Sequence, residues 1–180
     1  GYRGYENPSF LSTPGAKDVG IEFYTFSKTF NMAGWRLAFA AGNDQMIEAL
    51  NLIQDHLFVG IFPALQEAGI AALLDPKSEE AVAQLTATYD SRRDAFVQAA
   101  AKIGWKAFPS KGSFYAWMPV PEGYTSESFA DLLLEKAHVA VAPGKGFGPA
   151  GDAYVRIGLL VEPERLVEAV DRIANLQLFN

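Results

Sequence analysis

Two periods of apolar spacing divide this chain. From residue 21 the run Ile21-Glu22-Phe23-Tyr24-Thr25-Phe26 alternates and is rich in aromatic and β-branched residues, which predicts a strand that delivers Lys28 at its C-terminal end. Residues 37–42, Leu-Ala-Phe-Ala-Ala-Gly, are continuously apolar and read as a buried strand. Helical spacing then takes over. Asn43-Asp44 caps a helix carrying Met46, Ile47, Leu50, Ile53 and Leu57, and Pro63 opens a shorter one with Leu65, Ala68, Ala72 and Leu73. From Asp75-Pro76 a long helix carries Val82, Leu85, Tyr89, Phe96, Ala100 and Ile103 and ends at Gly104.

Beyond Gly104 the elements become shorter. Residues 105–108 and 113–118 predict two strands joined by a turn at Pro109-Ser110-Lys111-Gly112. Thr125 or Ser126 caps a helix with Phe129, Leu132, Leu133 and Ala137 on its inner face. Residues 139–142 and 153–159 predict two more strands around the glycine-rich loop 143–149, and Pro163 opens a last helix with Leu166, Val170 and Ile173. The predicted fold class is α/β, with two domains at 1–78 and 79–180 joined by the long helix near 76–103. Turn formers crowd residues 1–20, and the opening Gly1-Tyr2-Arg3-Gly4 reads as a loop in mid-protein, so a piece of a longer polypeptide is expected.

Composition narrows the function. A content of 49% hydrophobic and 13% aromatic residues fits a folded globular chain, and a net charge of −6 with no basic cluster argues against nucleic acid or an anionic membrane as partner. No cysteine is present, and His56 and His138 are isolated, so neither a disulfide framework nor a histidine metal site is expected. There is no apolar run long enough to span a bilayer and no signal peptide, which makes a cytoplasmic protein the expectation.

Candidate chemistry concentrates in Thr25-Phe26-Ser27-Lys28-Thr29-Phe30-Asn31-Met32-Ala33-Gly34-Trp35-Arg36. A lysine amine among apolar neighbours, here Tyr24, Phe26, Phe30 and Trp35, has its charged form disfavoured and becomes a nucleophile for a carbonyl. Hydroxyls and a planar guanidinium suit a phosphate dianion. An amine for an aldehyde and donors for a phosphate together describe pyridoxal 5'-phosphate. The plain alternative is a strand whose terminal lysine only caps a loop.

The same stretch resembles the lysine motif of the class I and II aminotransferases of fold type I, in which Ser-x-Ser/Ala-Lys is followed by Gly-x-Arg. Thr25-Phe26-Ser27-Lys28 and Gly34-Trp35-Arg36 carry the resemblance, with Thr25 in place of the usual serine or glycine. It implies that Lys28 forms the Schiff base with the cofactor and that Thr25, Ser27 and Arg36 hold its phosphate. The predicted αββαββα order after Gly104 resembles the small C-terminal α+β domain of that family, and the preceding residues the last part of its large cofactor domain. The resemblance extends over nearly all of the chain but over about half of a family member. It further implies that Arg156, a charged residue within Tyr154-Val155-Arg156-Ile157-Gly158, grips the α-carboxylate of the amino-acid substrate; a structural salt bridge is the alternative.

Gly144-x-Gly146-x-Gly148 is weak as a nucleotide loop, and it is similar to the family's Pro-Gly-x-x-Phe-Gly segment. Phe147 then either lines the substrate side or belongs to a purely structural turn. Phe114 and Trp117 read better as core than as site residues. Glu79-Glu80 reads as a solvated helix face rather than an acid and a base. The family's aspartate against the pyridine nitrogen, its tyrosine, its asparagine and its stacking aromatic all come from upstream sequence, so the 180 residues alone are expected to be inactive. A homodimer is expected. Candidate substrates are methionine and its 2-oxo acid, aromatic amino acids, or LL-diaminopimelate. A C–S lyase of the same fold, or a truncated domain that catalyses nothing, stands beside the aminotransferase reading.

Overall fold

The structure is a computed structural model that describes residues 1–108 and 110–179. The chain divides into two compact units, Glu6–Leu85 and Gly1–Tyr5 together with the residues from Thr86 onward.

In the first unit, α1 (Ala16–Val19) leads into strand β1 (Ile21–Thr25), the short helix α2 (Phe26–Thr29) and strand β2 (Ala38–Gly42). β1 and β2 pair antiparallel, Ile21 opposite Gly42 and Thr25 opposite Ala38. Helix α3 (Asp44–Leu57) starts where the Asn43 side chain accepts from the Met46 N–H at 3.1 Å, supplying one of the acceptors that a helix N-terminus lacks. Helix α4 (Pro63–Leu74) opens on Pro63, which has no N–H to leave unpaired. The core here is small: Phe26, Leu37 and Ala16 are buried, and α4 meets Phe26 and Leu37 at Gly69, where an added Cβ would lie 2.7 Å from Leu37 Cδ2. The expected burial of 37–42 therefore holds for Leu37 alone. β2 has one strand neighbour among the described residues, and its side chains are exposed or half-exposed. The apolar positions of α3 behave likewise, none of them buried, and Leu57, Phe58, Val59 and Phe62 continue the exposed row.

Helix α5 (Ser78–Lys102) passes from the first unit into the second, which continues with β3 (Tyr115–Pro119), α6 (Ser126–Leu132), the two-residue β4 (Ala142–Pro143), β5 (Tyr154–Gly158) and α7 (Pro163–Ala174). The sheet is antiparallel in the order β3-β5-β4. Alternation along the strands sends Ala116, Met118, Val155 and Ile157 inward, where they meet Phe96, Trp105, Phe129, Leu133, Leu166, Val170 and Ile173. Each large apolar side chain so buried stabilises the fold by roughly 1.5–3 kcal/mol before entropy is counted.

Several expectations are corrected. Residues 105–108 form no strand; Trp105 is instead a buried plug whose indole N–H donates to the Pro119 carbonyl at 2.8 Å, so the observed order is αβαββα. Pro109 of the expected turn lies outside the described residues. Strand 139–142 shrinks to its last residue plus Pro143, because the helix before it runs on as a π-turn (Leu133–Ala137) that closes at His138 in a left-handed conformation. Trp117 is not core, since alternation buries Ala116 and Met118 and leaves Trp117 half-exposed on the other face.

Residues 1–5 are tied to the second unit by charge. Arg3 and Arg93 share Asp90 and Asp94, with Arg93 to Asp94 at 2.6 Å and Arg3 to Asp90 at 3.1 Å, and the Arg93 guanidinium lies 4.4 Å from the Tyr2 ring centre. The Arg93 hydrogen bond is the main cause that holds the Asp94 carboxyl below its ordinary range, with Arg3 adding to it. A lowered folded-state pKa means that this tie is present above the unfolded carboxylate pKa and is lost as pH falls through the folded value. The Asp94 carboxyl carbon should therefore titrate by NMR below a free aspartate, and Arg93→Ala should return it toward the ordinary value. An unshifted midpoint in the parent chain would contradict the tie.

Candidate active site

The first stretch is built by the β1/β2 hairpin. The ladder extends one step past Thr25, with Phe26 N–H donating to the Leu37 carbonyl at 3.2 Å, so that Thr25, Ser27 and Arg36 collect at one end of the hairpin although they are separated in sequence. Thr25 caps α2. Its Oγ1 accepts from Ser27 N–H at 3.1 Å and its own proton goes to Ser27 Oγ at 2.9 Å. Only one of the two hydroxyl protons is consumed by that contact. Phe26 anchors the turn in the core, with Phe30, Phe39 and Tyr24 packed around it at 5.6, 5.9 and 6.3 Å between ring centres.

Arg36 follows a 3-10 turn (Ala33–Trp35) in a left-handed conformation, φ 52° and ψ 41°. Such a backbone costs a residue with a Cβ about 1–2 kcal/mol, and it aims the side chain back over the turn it has just left, where Nη1 donates to the Ala33 carbonyl at 2.9 Å. Lys28 is exposed. The expected apolar wrapping is only partly present, because Phe26 is buried while Tyr24 and Trp35 stand open and the first unit does not by itself enclose the amine.

The second stretch lies on the half-exposed face of the β3-β5-β4 sheet. Register sets Arg156 opposite both Trp117 and Ala142. The Arg156 guanidinium carbon lies 4.1 Å from the Tyr115 ring centre and 4.2 Å from that of Phe147, and Tyr154 stacks on Trp117 at 5.6 Å. In the sequence Tyr115 belongs to Gly112-Ser113-Phe114-Tyr115, which resembles a segment that approaches the active site in the aminotransferase family, with no role given to the ring itself. Two-residue alternation combined with antiparallel pairing is the signal that places 115, 117, 154 and 156 on one face.

The two stretches share one chemical feature, in their arginines. Arg3, Arg92, Arg93, Arg165 and Arg172 each contact a carboxylate. Among the described residues Arg36 and Arg156 contact none, in a chain where 21 acidic residues outnumber 15 lysines and arginines. A guanidinium has five donors in a fork that matches phosphate and carboxylate, and a resident acid would occupy that fork. The hydroxyl pair with Arg36 therefore fits a phosphate, and Arg156 fits a carboxylate. His56 Nδ1 donates to the Leu52 carbonyl at 2.8 Å near a helix end, His138 closes a helix, and no cluster of metal-ligating side chains occurs among the described residues.

A model of the family "Aminotransferase class I and II" matches residues 4–173, and the chain belongs to that family. It is 59% identical over 99% of its length to an L-glutamine--4-(methylsulfanyl)-2-oxobutanoate aminotransferase of Bacillus subtilis, of which it covers 44%. To an LL-diaminopimelate aminotransferase of Moorella thermoacetica it is 49% identical, with 96% and 44% covered. The apo structure of BacF from Bacillus subtilis superposes with a TM-score of 0.91 at 47% identity, over 98% of this chain and 45% of that one. The chain thus spans less than half the length of these relatives. Its mixed helix and sheet structure is that of the fold type I aminotransferases, a family that depends on pyridoxal phosphate.

The strain at Arg36 can be measured directly. Arg36→Gly should be more stable than Arg36→Ala by about 1 kcal/mol in denaturant titrations, since glycine enters the left-handed region without a Cβ penalty. Equal stabilities, or the reverse order, would show that the backbone there is relaxed.

Proposed function

We propose that this chain supplies the cofactor-holding lysine and the substrate-gripping arginine of a pyridoxal-phosphate-dependent aminotransferase, which moves an amino group between an L-amino acid and a 2-oxo acid. The observation that carries the reading is the pair of arginines without carboxylate partners among the described residues, one of them at the hairpin end that carries two hydroxyls and an exposed lysine. In this reading Thr25, Ser27 and Arg36 would hold the phosphate, and Lys28 would be the amine that holds the cofactor's aldehyde end. When bound, the cofactor supplies that aldehyde and a ring that draws electrons from the substrate α-carbon. Arg156 holds the α-carboxylate through its guanidinium fork and so fixes which face of the substrate is presented. Lys28 Nζ would be the base that takes the substrate α-proton and returns it.

Side-chain preference follows from the surroundings of Arg156. Tyr115, Trp117, Phe147 and Tyr154 form an aromatic wall, and Lys145, two residues before Phe147, is engaged by Glu127 at 2.6 Å. Aromatic rings make favourable contacts with a thioether sulfur. The 59% identical relative, named for a methylsulfanyl 2-oxo acid, supports the same choice over LL-diaminopimelate or an aromatic amino acid. Turnover is assigned to a polypeptide of the relatives' length, and the 180 residues alone are proposed to be inactive. The same reading includes a homodimer, supported by the exposed row Leu57, Phe58, Val59 and Phe62, and a cytoplasmic place beside the amino-acid pools it draws on. No helix among the described residues is long and apolar enough to cross a membrane.

The test is transamination by a polypeptide of that length, with L-glutamine as donor and 4-(methylsulfanyl)-2-oxobutanoate as acceptor, against LL-diaminopimelate and phenylalanine as donors. The thioether acceptor should give the highest kcat/KM, and Lys28→Arg should lower kcat by at least about 10²-fold, the scale of a lost general base. Turnover that survives Lys28→Arg contradicts the role of Lys28. Release of methanethiol, 2-oxobutanoate and ammonia from L-methionine alone, with no acceptor added, would mark a C–S lyase instead.

A further inference from the structure

Phe147 is 53% exposed, yet its ring lies 4.2 Å from the Arg156 guanidinium carbon. An exposed aromatic ring gains little from burial at such a place, so its position calls for another cause. Tyr115 lies at a matching 4.1 Å, and among the described residues the two rings make no contact with each other, so they meet the guanidinium from different directions.

The backbone that carries Phe147 is held rigidly. Gly144–Phe147 and Pro149–Ala153 form two 3-10 turns set back to back. A Cβ on Gly144 would lie 2.2 Å from the Gly151 carbonyl oxygen, and one on Gly151 would lie 2.1 Å from that of Gly144, so no side chain fits at either position. Between them Gly148 takes φ 125° and ψ 161°, a conformation essentially confined to glycine. The fully buried Ser126 then pins both turns to the start of α6: its hydroxyl donates to Asp152 at 2.8 Å and accepts from the Lys145 N–H at 3.3 Å, while its own N–H donates to Asp152 at 3.2 Å. Lys145 and Glu127 close the outer edge.

Resting on the carboxylate reading of Arg156 given above, we propose that Phe147 and Tyr115 are positioning residues for that guanidinium. Ring faces attract the cation without using its N–H groups, so they restrict the side chain while leaving its fork open for a substrate carboxylate. A resident carboxylate would restrict it equally well and would compete with the substrate. The glycine-rich loop is then a mounting for one ring rather than a phosphate cradle.

Two measurements test this. In a cofactor-loaded polypeptide of the relatives' length, binding of L-methionine is compared with that of 3-(methylsulfanyl)propylamine, the same molecule without its carboxylate. Phe147→Leu and Tyr115→Leu should each weaken methionine about three- to tenfold, as expected for one lost cation–ring contact, and leave the amine unchanged. Phe147→Tyr and Tyr115→Phe should restore methionine binding. In the 180-residue chain, the Arg156 Nε–Hε NMR signal should be displaced by ring currents and move toward the random-coil position in each leucine variant. If Arg156→Gln removes the preference for methionine over the amine while the leucine variants keep it, the positioning role fails and the carboxylate role stands. If Arg156→Gln leaves the preference intact, both fail. Equal weakening of methionine and the amine in the leucine variants, or an undisplaced Nε–Hε signal, also overturns the positioning role.

Discussion

The feature on which the rest depends is a charge left without a counter-charge. In a chain with an excess of carboxylates, five arginines contact acidic side chains, and among the described residues Arg36 and Arg156 contact none. Ion pairs at a protein surface form easily and contribute little, so leaving an arginine unpaired there requires other means of holding it. The chain uses a different means in each case. Arg36 is set by a left-handed backbone and a bond to its own turn, and Arg156 is set by ring faces. Both arrangements keep most guanidinium donors available for an anion from outside.

Each arrangement rests on packing further away. Arg36 keeps its place because Phe26 and Leu37 are buried on either side of the hairpin end and fix the ladder that sets 25–27 beside 36–38. Arg156 keeps its place because Val155 and Ile157 point into the core of the second unit and oblige the residue between them to face outward. The two units differ in how completely they are finished. The second has a dense core of large side chains, whereas the first leaves much of β2, α3 and α4 uncovered, in keeping with a chain that spans less than half the length of its relatives.

Much of this was legible in the sequence, and the exceptions have physical reasons. The strand that leads to Lys28 could be read from its alternation, and the helices at Asp44 and Pro63 from a capping asparagine and an opening proline; the long helix could be read from its period, although it starts at Ser78 and not at Asp75-Pro76. Strand lengths were less legible. Residues 105–108 have the composition of a strand, but the burial of Trp105 outweighs any gain from pairing. The burial of residues 38–42 was misjudged because an apolar run does not reveal whether anything covers it. The ring contacts of Phe147 and Tyr115 with Arg156 were not legible, although Phe147 stood as a candidate for the substrate side, since a ring–cation contact leaves no spacing rule and depends on sheet register and on a glycine-built loop. The two unpaired arginines were visible only once the partners of the other five were known.

The most direct measurement is to add pyridoxal phosphate to a polypeptide of the relatives' length that carries these residues, reduce with borohydride, and map the modified peptide by mass spectrometry. Stable label on Lys28, with cofactor affinity falling when Arg36 becomes methionine, is the predicted result. Label on another lysine, or cofactor affinity indifferent to Arg36, would contradict the account.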